Sequence, residues 1–190
     1  MIGILDCYLI ELREEFETSV DYKDGDKIWV SGSLKLNISV AFRFLEVCMA
    51  NKVIFRNPNG DKCEIADLIA MKLDIIEDFD NYWMQGSGDG YIEFFEDEIN
   101  ISTLMLGPNI KYGLYLHFID NVKKIDLLSL SNENKLNEVA ETADEIYASI
   151  GLFLPKEKAW EGIQYFVETG KPLASIRWIK PDIIPENGNW

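Results

Sequence analysis

Cations are scarce in this sequence. Lys and Arg together number 18 against 33 Asp and Glu, and the formal net charge is −15. A surface of this sign repels the phosphates of nucleic acids and the head groups of anionic membranes, so we predict that neither is a partner. Long hydrophobic runs are also missing, because no stretch approaches the ~18 apolar residues of a transmembrane helix. Residues 1–16 lack the basic region and the cleavage site of a secretory signal, which predicts a cytoplasmic protein.

Cysteine and histidine are too few to suggest a metal centre. The three cysteines, Cys7, Cys48 and Cys63, include no C-x-x-C pair, and we predict buried, reduced thiols and no metal site. His117 is the single histidine, and we predict a partly buried, hydrogen-bonded strand residue rather than a general base. The patterns G-x-S-x-G, H-E-x-x-H and the P-loop do not occur. We therefore predict a protein that is not an enzyme and has no cofactor.

Glycine is concentrated in one short stretch, at 86–90, with the spacing G-x-G-x-G. A dinucleotide-binding fingerprint needs G-x-G-x-x-G and a following helix, whose N-terminus binds the pyrophosphate. Here a strand-like run follows, and the loop contains Asp89, which would repel phosphate. We interpret the stretch as a turn that leads into a strand.

Apolar residues are plentiful, at 47% of the chain, with 12% aromatic residues, which is typical of a globular protein. The length of 190 residues predicts a single domain over 1–190. Strand-like patterns cover residues 1–12, 27–30 and 53–56, and the clearest is the alternation of apolar and polar residues over 34–44. A turn is predicted at Asp24-Gly25 and another at 57–60, where the sequence is Asn-Pro-Asn-Gly.

Residues 64–83 allow two interpretations. Apolar side chains lie at helical spacing, and Asp61 with Glu64 resembles a capping box. The alternative is a strand that pairs across the 57–60 turn and is followed by a shorter helix. We favour a helix over the later part of the segment.

Further strands are predicted at 91–95, 99–106, 112–119 and 125–130, after which the period of the apolar residues changes. Helical spacing predicts one amphipathic helix over 136–150 and a second over 155–169, the latter with Pro155 at its start and Gly170 as its left-handed cap. A last strand is predicted at 174–178. The predicted fold is α+β, with a mainly antiparallel β-sheet and two amphipathic helices near the C-terminus.

The negative charge is concentrated in residues 73–110, which hold nine acidic residues and no Lys or Arg. The segment also contains aromatic residues, and aromatic side chains beside carboxylates are common in surfaces that bind basic proteins. The alternative is a solvated acidic face. We predict that the following residues bind a protein partner: Asp74, Glu77, Asp78, Asp80, Tyr82, Trp83, Asp89, Glu93, Glu96, Asp97 and Glu98.

A family resemblance is carried mainly by residues 154–178. Leu154-Pro155 begins a helix that contains Ala159 and Phe166, Thr169-Gly170-Lys171-Pro172 ends it, and Ile176-Arg177-Trp178 follows. This order resembles the closing segment of a bacterial immunity-protein family from polymorphic toxin and contact-dependent inhibition systems. The stretches 88–91 and 113–115 are compatible with the same family.

The resemblance implies a small cytoplasmic protein that binds and neutralises a cognate toxin domain, often a nuclease. It assigns no binding residue here, because the matching helix residues look structural. Combined with the acidic segment, it leads us to expect a basic toxin domain as the partner. The alternatives are an adaptor or regulatory module with another basic partner, and a small hydrolase that uses carboxylates.

Overall fold

An antiparallel sheet forms the centre of the structure. The computed structural model describes residues 51–86, 88–143 and 146–190. In this part of the chain, seven strands are ordered β2-β1-β3-β4-β5-β6-β9, and β7 and β8 form a separate pair. The strands are β1 Lys52–Arg56, β2 Lys62–Glu64, β3 Gly90–Glu96, β4 Ile99–Asn109, β5 Gly113–Asp120, β6 Ile125–Leu130, β7 Val139–Ala143, β8 Ile146–Ser149 and β9 Arg177–Ile179.

This architecture confirms an α+β fold with a mainly antiparallel sheet. The four strands predicted over 91–130 are present as β3 to β6, each paired with its neighbour in the chain. The strands predicted at 1–12, 27–30 and 34–44, and the turn at Asp24-Gly25, lie outside the described residues. The prediction of one domain over 1–190 also extends beyond them.

Residues 62–83 combine both interpretations of the sequence. β2 pairs with β1 across the 57–60 turn, and three short helical pieces follow: α1 Leu68–Lys72, a π-helical turn Leu73–Glu77, and α2 Phe79–Tyr82. The N-cap is Asp67, whose carboxylate accepts the backbone N–H of Ile69 at 2.8 Å. The predicted cap by Asp61 and Glu64 is therefore wrong, because residues 62–64 are used in the sheet.

One face of the sheet is covered by a long helix, α3 (Lys156–Thr169), and by the helical pieces of 68–83. The predicted second C-terminal helix is confirmed, with Gly170 in the left-handed conformation at φ 66°. Apolar side chains on one side of α3 pack against alternate residues of the central strands. This core includes Phe94, Leu104, Leu116, Phe118, Trp160, Ile163 and Phe166.

The other face of the sheet is covered near β5 and β6 by residues 133–153, and here the prediction of a helix over 136–150 is wrong. The chain forms a 3₁₀ turn at Glu133–Lys135, the hairpin of β7 and β8, and a second 3₁₀ turn at Ile150–Leu152. A second group of buried apolar side chains lies on this face and forms a second core. It includes Leu136, Ala148, Tyr115 and Leu128. Val139, Ile146 and Tyr147, which the helical pattern placed on the same apolar stripe, are instead exposed.

The C-terminal segment runs along this second core. β9 pairs with β6, so the predicted strand at 174–178 is present but begins later, at Arg177. Asn189 is held to β8, since its carbonyl accepts the backbone N–H of Ser149 at 2.7 Å. In the described part of the chain, no helix has the length and apolar character needed to cross a lipid bilayer.

Candidate functional site

The eleven predicted partner-binding residues do not form one continuous surface. Six lie in the π-helical turn and around α2. Asp89 directly precedes β3, Glu93 lies in its middle, and Glu96 to Glu98 lie where β3 turns into β4. The two ends of β3 are about 20 Å apart at the usual rise of a strand. The acidic segment is therefore divided between the two ends of the sheet.

The helical group is partly neutralised by cations from other parts of the chain. Lys156 Nζ lies 3.3 Å from a carboxylate oxygen of Asp80. Lys72 lies between Glu77, at 3.7 Å, and Glu157, at 3.3 Å. Trp83 is buried, and its indole N–H donates to the carbonyl of Ile75 at 3.0 Å, so this side chain supports the helices from inside.

Asp89 is also inside the protein rather than on its surface. Its carboxylate is buried and accepts the hydroxyl of Tyr91 at 2.8 Å. Burial, followed by this hydrogen bond and the charge of Asp89, raises the pKa of Tyr91 to about 12, and the charge of Arg56 opposes the shift. Burial also raises the pKa of Tyr115, with smaller contributions from Tyr91 and Asp89. The three side chains form a polar cluster between the start of β3 and β5.

These tyrosines predict a loss of stability in alkali. The pKa values of Tyr82 and Tyr91 rise from 10.0 to about 12 in the folded protein. The unfolded chain releases these protons first, so stability is complete below pH 10 and falls as the pH rises through 12. Unfolding by urea at pH 9 and pH 11 measures this loss, which should be smaller in Tyr91→Phe. Equal dependence on pH in the variant and the wild type would contradict the assignment to Tyr91.

Glu93 belongs to a polar network on the face of the sheet opposite α3. Its carboxylate is half-buried and accepts from Lys62 Nζ at 3.2 Å and from the Asn100 side chain at 3.4 Å. The Asn121 amide donates in turn to Asn100 at 2.9 Å and to Thr103 at 3.3 Å. Both carboxylate oxygens of Glu93 are therefore hydrogen-bonded within the protein.

The turn formed by Glu96, Asp97 and Glu98 is different, because all three side chains are exposed. In the part of the chain that the structure describes, no ion pair joins them to a cation. This confirms the prediction of an exposed turn between two strands. Other predicted carboxylates in the helical group are exposed too, but Glu96, Asp97 and Glu98 are the three that follow one another directly in the chain.

The backbone of this turn is strained. Asp97 and Glu98 both have positive φ, at 47° and 65°, as a two-residue type I′ hairpin requires. Asn-Gly is the usual sequence of such turns, because a side chain in the left-handed region costs roughly 1–2 kcal/mol. The sequence pattern indicated a turn here but gave no sign of its left-handed backbone.

A glycine at the second turn position is expected to stabilise the fold. In Glu98→Gly, relief of the left-handed strain should outweigh the greater freedom of glycine in the unfolded chain, raising the free energy of unfolding by up to about 1 kcal/mol. Urea unfolding measures the change, with Glu96→Gly, at the last residue of β3, as the control that should destabilise. If Glu98→Gly destabilises as much as Glu96→Gly does, the turn does not have this geometry.

His117 lies on β5 and Cys63 on β2. His117 is buried, its Nε2 is hydrogen-bonded to Asp126, and its ring lies edge-on to Trp190 with 5.0 Å between centroids. The prediction of a hydrogen-bonded strand histidine is confirmed. Cys63 is a free thiol but is exposed on β2, so the prediction of burial is wrong for this residue. Cys7 and Cys48 lie outside the described residues.

Neither a metal-binding cluster within the described residues nor a match to a known protein points to a function for this geometry. Across residues 51–86, 88–143 and 146–190, no three side chains of His, Cys, Asp or Glu are grouped so as to hold a metal ion. Comparison of the chain with protein-family models, with curated proteins and with solved structures gives no match.

Proposed function

We propose that this chain is a cytoplasmic immunity protein that binds and neutralises a basic toxin domain. The observation that carries the proposal is the acidic turn, which we define as Glu96, Asp97 and Glu98. It presents three adjacent carboxylates that are exposed and unpaired within the described residues. The sequence resemblance to immunity proteins at 154–178 supports the same class. A binding role needs no catalytic group.

The acidic turn suits recognition of a cationic surface. Exposed carboxylates attract Lys and Arg over a distance, which raises the association rate well above that of neutral proteins. If the toxin is a nuclease, the same carboxylates occupy the cationic groove that otherwise holds phosphates. The two-residue turn fixes their backbone, so less conformational entropy is lost when the partner binds.

An adaptor with another basic partner would use the same chemistry. The two functions differ in what the partner does and in where its gene lies. An immunity protein is encoded beside its toxin and restores growth when both are expressed. An adaptor binds its partner without suppressing toxicity.

Co-expression tests the proposed function. We expect the gene directly upstream of this one to encode the toxin domain. That domain should stop growth of a bacterial host when expressed alone, and the wild-type chain should restore growth. A triple variant that reverses the acidic turn should reduce that protection, because the charges that attract the toxin are reversed. It combines Glu96→Lys, Asp97→Lys and Glu98→Lys.

The matched control reverses three exposed carboxylates on α3, Glu157, Glu161 and Glu168. This variant has the same net charge as the reversed turn but keeps the acidic turn intact, so it should protect nearly as well as the wild type. Equal protection by both triple variants would remove the acidic turn from the interface. A lack of protection by the wild-type chain would contradict the immunity function itself.

A further inference from the structure

A second turn lies beside the acidic turn at the same end of the sheet. The strands β3 to β6 are consecutive and antiparallel, so the turns β3–β4 and β5–β6 emerge on the same side. Asn121, in the second turn, donates its backbone N–H to Ile101 at 2.9 Å and its side-chain amide to Asn100 at 2.9 Å. These bonds join the second turn to the beginning of β4, directly after the acidic turn.

The second turn is also held firmly. The carboxylate of Asp120 accepts the backbone N–H groups of Val122, at 3.1 Å, and Lys123, at 2.7 Å. Lys124 has a left-handed backbone, with φ 57°. The non-glycine residues with positive φ in the described chain are Asp97, Glu98 and Lys124, and all lie in these two turns. Both turns are therefore preorganised, which reduces the entropy lost on binding.

Large apolar side chains are exposed at this end of the sheet. Ile99, the first residue of β4, is 64% exposed, and Val122 in the second turn is 66% exposed. Ile125, the first residue of β6, is 39% exposed. Single exposed apolar residues are ordinary in soluble proteins, whereas a group beside charged residues is typical of a protein-binding surface.

Charges of opposite sign flank these exposed apolar residues along the chain. The acidic turn precedes Ile99, while Lys123 and Lys124 follow Val122. Lys123 is partly compensated by Asp120, at 3.7 Å. A partner that complements both turns carries cations opposite the acidic turn and an anion opposite the second turn. This pattern disfavours a nucleic acid or an anionic membrane, because either would face the acidic turn with like charge.

We propose that this end of the sheet, which we call the turn surface (residues 96–99 and 122–125), is the docking surface for a folded protein domain. The domain presents apolar side chains to Ile99 and Val122, Lys or Arg to the acidic turn, and a carboxylate to Lys123 and Lys124. This inference rests on the proposed function and adds the apolar contact and the second turn. The acidic turn governs how fast the partner arrives, and the apolar group governs how long it stays.

The test separates these two contributions with the upstream toxin domain as the probe. In surface plasmon resonance, Ile99→Thr with Val122→Thr should dissociate at least about tenfold faster than the wild type, because buried apolar contact acts on the dissociation rate. Its association rate and the salt dependence of that rate should stay unchanged, because no charge is altered. Thr keeps the β-branched shape, so the strands and turns should be retained, and thermal unfolding checks this.

The control removes equally exposed apolar groups from elsewhere, as Ile110→Thr with Ile183→Thr, which are 57% and 58% exposed. Dissociation at the wild-type rate is expected for this pair. Equal dissociation rates for both double variants would overturn the proposal of the turn surface. They would not contradict the role of the acidic turn, which is tested separately by its charge variants. No binding of the toxin domain to the wild type would overturn both proposals. If the wild type sediments as a dimer and the variant Ile99→Thr with Val122→Thr sediments as a monomer, a second copy of this chain occupies the surface. That result would overturn the proposed occupant.

Discussion

Replacing Phe166 with Ala is expected to lower the free energy of unfolding by about 3–5 kcal/mol, the usual cost of truncating a buried aromatic side chain. Phe166 is fully buried in the last turn of α3. Its ring meets Phe94 and Phe118 edge-on, with centroids 6.3 Å and 6.1 Å away. The change therefore removes the contact between the helix and two central strands at once. Urea unfolding followed by circular dichroism measures the effect.

Glu168→Ala is the matched control for this helix. Glu168 is exposed two residues along α3, so the change should stay within about 0.5 kcal/mol of the wild type. A small effect of Phe166→Ala, similar to that of Glu168→Ala, would mean that α3 does not pack on the sheet through this side chain.

A comparably large loss in the free energy of unfolding is expected from Gly107→Ala, which adds a single methyl group. A Cβ at this position would lie 1.9 Å from Cε1 of Tyr115, far inside van der Waals contact. The Tyr115 ring is buried and meets Phe153 edge-on at 5.6 Å, so it has little room to move. We expect destabilisation of at least about 3 kcal/mol, at the upper end of the cost of overpacking a core.

A second substitution shows whether the collision is the cause. Tyr115→Leu shortens the side chain that lies over Gly107, so the double variant Gly107→Ala, Tyr115→Leu should be more stable than the sum of the two single changes predicts. Additive losses in this double-mutant cycle would show that Gly107 is needed for another reason than the close approach of the ring.

The helix α3 and the strand β3 were predictable because the residues that define them lie within or directly beside each element in the sequence. The α3 helix has a proline before its first turn, a glycine with positive φ at its end and an apolar stripe between them, and it was predicted within one residue. The strand β3 alternates buried and half-buried side chains, with Ile92 and Phe94 in the core, and was likewise evident.

The hairpin of β7 and β8 could not be predicted in the same way. Its apolar residues fall at helical spacing, and Asn132 supplies a cap, which however begins only a 3₁₀ turn. The strands are favoured by distant contacts, such as the side chain of Asn109 donating to the carbonyl of Glu141 at 2.7 Å. Tertiary contacts of this kind override a weak local preference, and a single sequence does not show them.

The candidate site was also only partly predictable. Counting charges located the acidic segment but not the cations that reach it from Lys62, Lys72 and Lys156. Glu93, Glu77 and Asp80 are each paired with one of these cations, whereas the acidic turn is exposed and has no ion pair among the described residues. Val122 comes from a different hairpin, so only the strand order shows that it lies at the same end of the sheet as Ile99.

The central claim is that the acidic turn draws a basic partner to the protein. The most direct measurement is the association rate with the upstream toxin domain at 50 mM and 500 mM salt. The rate is measured for the wild type and for two triple variants. The turn variant combines Glu96→Gln, Asp97→Asn and Glu98→Gln, which remove the charges but keep the size of each side chain. The control variant combines Glu157→Gln, Glu161→Gln and Glu168→Gln.

We expect the wild type and the control to associate fast at low salt and to slow as salt rises, because salt shortens the reach of exposed charges from ~10 Å at 0.1 M to ~3 Å at 1 M. The turn variant should associate about tenfold more slowly at low salt, with little further dependence on salt. Association of the turn variant at the wild-type rate, with the wild-type dependence on salt, would contradict the claim and leave the acidic turn as a solvated surface.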